Sequence, residues 1–190
     1  MKAQITRFLG GLLAGVRAGD GHLTVNHPAL KSLPATLVLR SPWFAPGDPI
    51  PLKAAGQGLG DNISPPLEWT GVPPGTKGYL LVVQDPDAPL PRPFVHLIAL
   101  GIPAERRSLE PGELAEAGPG APYGRNTFGP SGYRGPRAVP GHGPHRYFFH
   151  LMALSEPPKS GRSEKLEGIL AANAANILAH GALIGTFEQR

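Results

Sequence analysis

A chain of 190 residues is long enough for one domain with a real core and only marginally long enough for two, and 41 % apolar with 17 % charged residues fits a soluble globular protein. The formal charge is +4, but Lys and Arg are scattered and form no basic run or stripe, which argues against a nucleic-acid partner. With no cysteine the chain can make no disulfide, thiolate metal site or thiol nucleophile, which fits a reducing cytoplasm, and 26 Gly with 24 Pro predict short elements joined by shaped loops.

Residues 1–36 read as an N-terminal arm. No apolar stretch approaches the roughly 20 residues that span a bilayer, so no transmembrane segment is expected. Met1, Lys2 and Arg7 precede the short run "FLGGLLAGV", yet Ile5, Phe8, Leu9, Leu12, Leu13 and Val16 fall at helical spacing. The pattern predicts an amphipathic helix, packed on its own domain or on a second copy as a homodimer, in preference to an export signal. Residues 37–190 form a single domain. "TLVLRSP" opens it as a short strand, "IPLKAA", "GQGLGDNISPP" and "LEWTGVPPGTK" follow, and then come three strands over 79–83, 94–100 and 145–154, rich in β-branched and aromatic residues with Gly/Pro boundaries. No helix separates them, so a parallel βαβ arrangement is not expected. The segment 101–144 is loop-dominated, with one helical turn expected in "AERRSLEPGELAEAG". After it, Ser163 is placed to N-cap a helix whose apolar face carries Leu166, Ile169, Leu170, Ile177 and Leu178 and which Gly181 ends; "ALIGTF" closes the chain as a strand.

The chemistry concentrates in three segments. In "QDPDAP" Pro86 and Pro89 fix their own φ and restrict the residues before them, so the loop holds Asp85 and Asp87 at small entropic cost. In extended geometry the two carboxylates point broadly the same way, which predicts that one pairs with an arginine, Arg92 or Arg146, while the other faces a ligand. A plain Asx-type turn with both carboxylates solvated is the competing reading. His96 lies in an apolar strand, on the face of Phe94 and Ile98, and alone reads as a satisfied core histidine. His145 starts a strand whose face carries Tyr147, Phe149 and Leu151, after a Gly/Pro-rich loop that includes His142. Together Asp85, His96, His145 and Tyr147 predict a small polar pocket at one sheet end. Their spacing matches no recognised ligand pattern for zinc, so no metal and no cofactor is expected.

"ISPPLEWTGVPPGTKGYLLVVQDPDAP", "GYRGP" and "GPHRYFFHLMAL", in this order, resemble the phosphatidylethanolamine-binding protein family, which includes the Raf kinase inhibitor proteins, and in particular its bacterial branch. The resemblance runs from about residue 37 to the C-terminus. It implies a mainly β fold: a large antiparallel central sheet, a smaller second sheet, and peripheral helices including a C-terminal one. It also implies a small anion pocket lined by Asp85, His96, His145 and Tyr147, with Gly135 and Pro136 contributing a loop wall and Asp87, Pro89 and Arg146 in structural support. The chain departs from related bacterial sequences at "RAVP", where Cys-Pro-Pro is common, at Leu97, where a Trp stands beside the histidine, and at Phe187, where a Tyr is frequent.

The expected function is that of a binding protein for a small anion or phospholipid head group, regulatory in character. The alternative is a regulator of another protein, a kinase or protease inhibitor. Catalysis is not expected, since no nucleophile or metal set accompanies the Asp, His and Tyr.

Overall fold

In the computed structural model of the chain, the described residues are 8, 10–115, 123–130, 132–159 and 164–189. The centre of the molecule is strand β3 (Gly78–Asp85), every residue of which is buried. It is hydrogen-bonded on both edges, to β4 (Phe94–Pro103) and to β8 (His145–Leu154), and β9 (Ile177–Phe187) adds beyond β8, all antiparallel. A strand covered on both faces has no solvent side to alternate with, which is why its "YLLVV" reads as a continuous apolar run.

The two faces carry two cores. Tyr79, Leu81 and Val83 meet Leu97, Tyr147, Phe149 and Trp69 on one side. Leu80 and Val82 meet Ile98, Met152 and Ile169 on the other. The first face is covered by a smaller antiparallel sheet of β2 (Leu67–Thr70) between β1 (Val38–Arg40) and β5 (Ser108–Leu109), and the second by helix α1 (Leu166–Asn173). A two-stranded ribbon, β6 (Arg125–Asn126) with β7 (Gly129–Pro130), completes the described strands. The mainly β architecture with a large and a smaller antiparallel sheet and a C-terminal helix is therefore the one the sequence leads to.

The expected helix through Leu178 is shorter. It stops at Asn173, passes through a 3₁₀ turn at Ala174–Asn176, and Ile177 already belongs to β9. Two forces decide this. Burial alternates along β9 with period two over its 11 residues, and that pattern outweighs the adjacent apolar pair Ile177 and Leu178. Gly181 serves the strand instead of a helix end: the Leu37 backbone crosses so close that a Cβ there would lie 1.8 Å from its carbonyl oxygen. Asn173, fully buried, ties off the helix by donating to the Ile169 and Lys159 carbonyls and accepting from the Lys159 amide, each at 2.8 Å. Asn173→Ala strands those groups and is expected to cost about 2–3 kcal/mol in urea unfolding; a loss within error of zero would show that the cap does not hold the helix end.

Ser163, the expected N-cap, lies outside the described residues, and Lys165 occupies the cap position without a side-chain bond. The helical turn expected in "AERRSLEPGELAEAG" is replaced by β5 and turns as far as Ala115. Of the N-terminal arm, Ile5 and Leu9 lie outside the described residues. Phe8, Leu12, Leu13 and Val16 are exposed, so the expected packing of that apolar set on its own domain is not found.

Candidate functional site

The loop after β3 resolves the two readings of its carboxylates by combining them. Asp85 Oδ1 accepts the amides of Asp87 at 2.7 Å and Ala88 at 3.1 Å, an Asx turn, yet both acids are buried, each 3 % exposed. The acids do not point the same way. Asp85 Oδ2 lies 2.8 Å from His145 Nδ1, whereas Asp87 takes the backbone amide and the guanidinium of Arg146. Neighbouring residues of a strand face opposite sides, so His145 and Arg146 draw the two carboxylates apart. Arg92, the other expected partner, pairs with Glu167 instead at 2.6 Å. The second cation on Asp87 is Arg17 of the arm, at 3.0 Å. Burial raises the Asp87 pKa, but the hydrogen bonds and charge of Arg146, with Arg17 behind them, hold it down at about 2.

His96 reaches the site through a β-bulge. Val83 pairs with Leu97 and Gln84 with Val95, so His96 is the extra residue, unpaired on β3. The bulge puts His96 and Leu97 on the same side and sends Ile98 to the opposite core, which corrects the simple alternation expected from the sequence. The ladder bonds His96 forgoes are replaced by Arg134, whose amide donates to the His96 carbonyl at 3.1 Å and whose own carbonyl lies 2.6 Å from His96 Nδ1. A carbonyl only accepts, so Nδ1 carries the ring proton and Nε2 presents a lone pair. Among the described residues, that buried Nε2 has no hydrogen-bond partner. Burial lowers the His96 pKa more than the nearby Asp85 charge and the Arg134 carbonyl raise it, which keeps the ring neutral.

The third wall is the loop 133–136, stitched to residues 54–62. Asn62, in the left-handed region at φ 56°, accepts from the Gly135 amide at 2.8 Å and donates to the Tyr133 carbonyl; Gly56 donates to the Pro136 carbonyl and Tyr133 to that of Ala54. Gly135 sits where a Cβ would lie 2.0 Å from the Ala54 carbonyl oxygen, so only glycine permits this approach.

Behind His145 a hydrogen-bonded chain runs to the arm: His145 Nε2 to His142 Nδ1 at 2.8 Å, and His142 Nε2 to the Val16 carbonyl at 3.1 Å. The Val16 carbonyl only accepts, so His142 Nε2 donates to it.

Asp85, His96, His145 and Gly135 line one cavity of about 560 Å³, with Asn62, Gln57, Arg134 and Arg137 beside them and Ala88, Pro89, Leu90, Phe94 and Phe128 as apolar wall. Tyr147 and Pro136, expected in the pocket, do not line it. Tyr147 is 1 % exposed behind His96, ring centroids 5.1 Å apart; among the described residues its hydroxyl closes no hydrogen bond, although the Arg137 amide approaches it, and burial pushes its pKa far above the tyrosine range. Another cavity, of about 410 Å³, lies on the opposite side of the sheet beside Val95 and Leu166. Its buried amide, Gln84, is already bonded to Thr24 and His22, whereas the 560 Å³ cavity has His96 Nε2 on its wall. The sequence reading missed Asn62, Arg134 and Arg17; the first two sit in Gly/Pro-rich loops whose φ-restricted residues were the available signal.

A model of the phosphatidylethanolamine-binding protein family matches residues 40–188. A UPF0098 protein of Aquifex aeolicus is 36 % identical over 183 residues, 89 % of this chain and 98 % of that one. A putative lipoprotein, LppC, of Mycobacterium tuberculosis is 38 % identical over 158 residues, 80 % of this chain and 72 % of that protein. Among solved structures, a putative phosphatidylethanolamine-binding protein homolog from Chlamydia trachomatis superimposes with TM-score 0.72 at 32 % identity, covering 82 % of this chain and 99 % of the other. Escherichia coli YbcL does so with TM-score 0.72 at 31 % identity, covering 82 % and 100 %.

Proposed function

Because the chain belongs to the phosphatidylethanolamine-binding protein family, we propose that its 560 Å³ cavity binds an amphiphile through a phosphoryl head group that carries a hydrogen-bond donor. The observation that carries this reading is the lone pair of His96 Nε2, buried on the cavity wall without a partner among the described residues. An unpaired buried acceptor costs free energy until a ligand donates to it. The head-group ammonium of an ethanolamine ester and the proton of a monoprotonated phosphate are such donors. Arg134 and Arg137 on the wall suit the phosphoryl charge. Both Asp85 oxygens are already engaged, one by the Asp87 and Ala88 amides and the other by His145, which lessens what the carboxylate presents to the cavity. The apolar wall of Leu90, Phe94 and Phe128 suits the hydrocarbon part.

The same wiring leaves His145 no free ring nitrogen. His145, the natural base of the set, has one ring nitrogen on Asp85 and the other on His142, and neither is left to take a substrate proton.

Titration calorimetry with two phosphodiesters tests the proposal. Glycerophosphoethanolamine has N–H donors and glycerophosphocholine has none, while both carry the same phosphoryl charge. The first is expected to bind at least about tenfold more tightly, one buried hydrogen bond's worth, and His96→Phe is expected to level the two. Equal affinities in the unsubstituted protein, or discrimination that survives His96→Phe, would sink it.

A further inference from the structure

The cavity of about 410 Å³ on the other side of the sheet is walled by the arm between Gly21 and Pro28, the approach to β4, the β6 ribbon and the first turn of α1. The arm residues precede the stretch 40–188 that the family model matches, so one wall lies outside that match. Leu23, Val95, Leu166 and Leu170 give the cavity an apolar lining. Gln84 adds a buried donor to it. The Thr24 amide and hydroxyl both meet Gln84 Oε1 at 2.8 Å, and an amide N–H only donates, so this contact fixes which end of the side chain is oxygen. Nε2 carries two protons, and among the described residues one of them is taken, by the His22 carbonyl at 3.3 Å. With Gln84 only 3 % exposed, the other proton is a donor buried on the cavity wall. Three cations, Arg92, Arg125 and Lys165, line the cavity against one acid, Glu167, and Arg92 takes that acid at 2.6 Å. The side chains of Arg125 and Lys165 have no hydrogen bond or ion pair among the described residues. Two positive charges therefore stand without a counter-charge around an apolar hollow that also holds an unused amide donor.

We infer that this cavity is a second binding site, separate from the 560 Å³ one, for a small phosphomonoester with an apolar body. A phosphomonoester carries close to two negative charges at neutral pH, which matches the surplus of Arg125 and Lys165, and its oxygens accept from them and from Gln84 Nε2. A monocarboxylate balances half of that charge. A neutral ligand balances none of it, and a cation is repelled. The four aliphatic side chains cover an apolar body, and the volume lies in the range of small-molecule sites.

Amide chemical shifts of the full-length protein, followed during titration with phenyl phosphate, benzoate and benzyl alcohol, test it. Phenyl phosphate is expected to move the amides of Leu23, Thr24, Thr127 and Leu166 saturably, more tightly than benzoate and at least about tenfold more tightly than benzyl alcohol. The variant Arg125→Ser/Lys165→Ser is expected to lose at least about tenfold in that affinity. Both side chains are exposed and hold nothing among the described residues, so the variant keeps the melting temperature of the unsubstituted protein. Shifts at Ala88 and Gly135 report the other cavity, so the two sites stand or fall independently. The inference is overturned if phenyl phosphate leaves those four amides in place, if benzoate or benzyl alcohol binds there as tightly, or if the variant binds phenyl phosphate like the unsubstituted protein.

Discussion

Asp87→Ala is expected to lower the stability of the protein by about 3 kcal/mol at neutral pH, near the lower end of what breaking a buried ion pair costs. The carboxylate is 3 % exposed and takes three bonds from Arg146, at 2.8, 2.8 and 2.9 Å, with Arg17 at 3.0 Å. Removing it leaves the Arg146 amide unpaired and two guanidiniums without their common acid; since both arginines reach solvent, the loss stays below that of a fully enclosed pair. The sign of the pH dependence follows from the depressed pKa. With Asp87 held at about 2 against an ordinary 3.8, its contribution is complete above about pH 4 and disappears as pH falls towards 2. Urea unfolding of the unsubstituted protein should therefore lose stability through that window, and Asp87→Ala should lose about 2 kcal/mol less there. Parallel pH profiles for the two proteins would remove Asp87 from the account.

Gly135→Ala is the second large effect. The added Cβ meets three backbone atoms of the 54–56 segment, 2.0 Å from the Ala54 oxygen and 2.8 Å from Ala55 C and Gly56 N, and none of them is a side chain that can swing away. Either the 133–136 loop or the 54–56 segment must move, at an expected cost of about 3 kcal/mol, in the range of overpacked cores. Moving either one opens the cavity wall, so glycerophosphoethanolamine binding should fall below detection even at temperatures where the variant is folded. Gly11→Ala, with nothing within 4 Å of its Cβ, is the control and should stay within about 0.5 kcal/mol. A Gly135→Ala protein with unchanged melting temperature and affinity would contradict this packing.

The central strands were legible because their apolar runs are long and bounded by Gly and Pro, and HRYFFHLMAL spans the whole of β8. The grouping of Asp85, His96 and His145 was legible from their motifs, although motifs do not encode register. A bulge inserts one residue without altering composition, so the sequence hides that Ile98 leaves the face of His96. The Asp85 and Asp87 split was hidden for a related reason: it depends on which residues of β8 lie opposite the loop. The end of α1 was misplaced because Ile177 and Leu178 satisfy a helical stripe locally, while the partner that makes them a strand, β8, is more than 20 positions away. Arg17 carries no signal of its own at all. Its role exists only because the arm returns across the Asp87 loop.

The bulge at His96 has a consequence for how this molecule can change. The residue adds nothing to the pairing of β3 with β4, and Leu97 and Val95 close the ladder on either side of it. The side chain proposed to meet the ligand is thus an insertion that the sheet does not rely on. Exchanging it is expected to change what this wall of the cavity presents and to leave the strands in register.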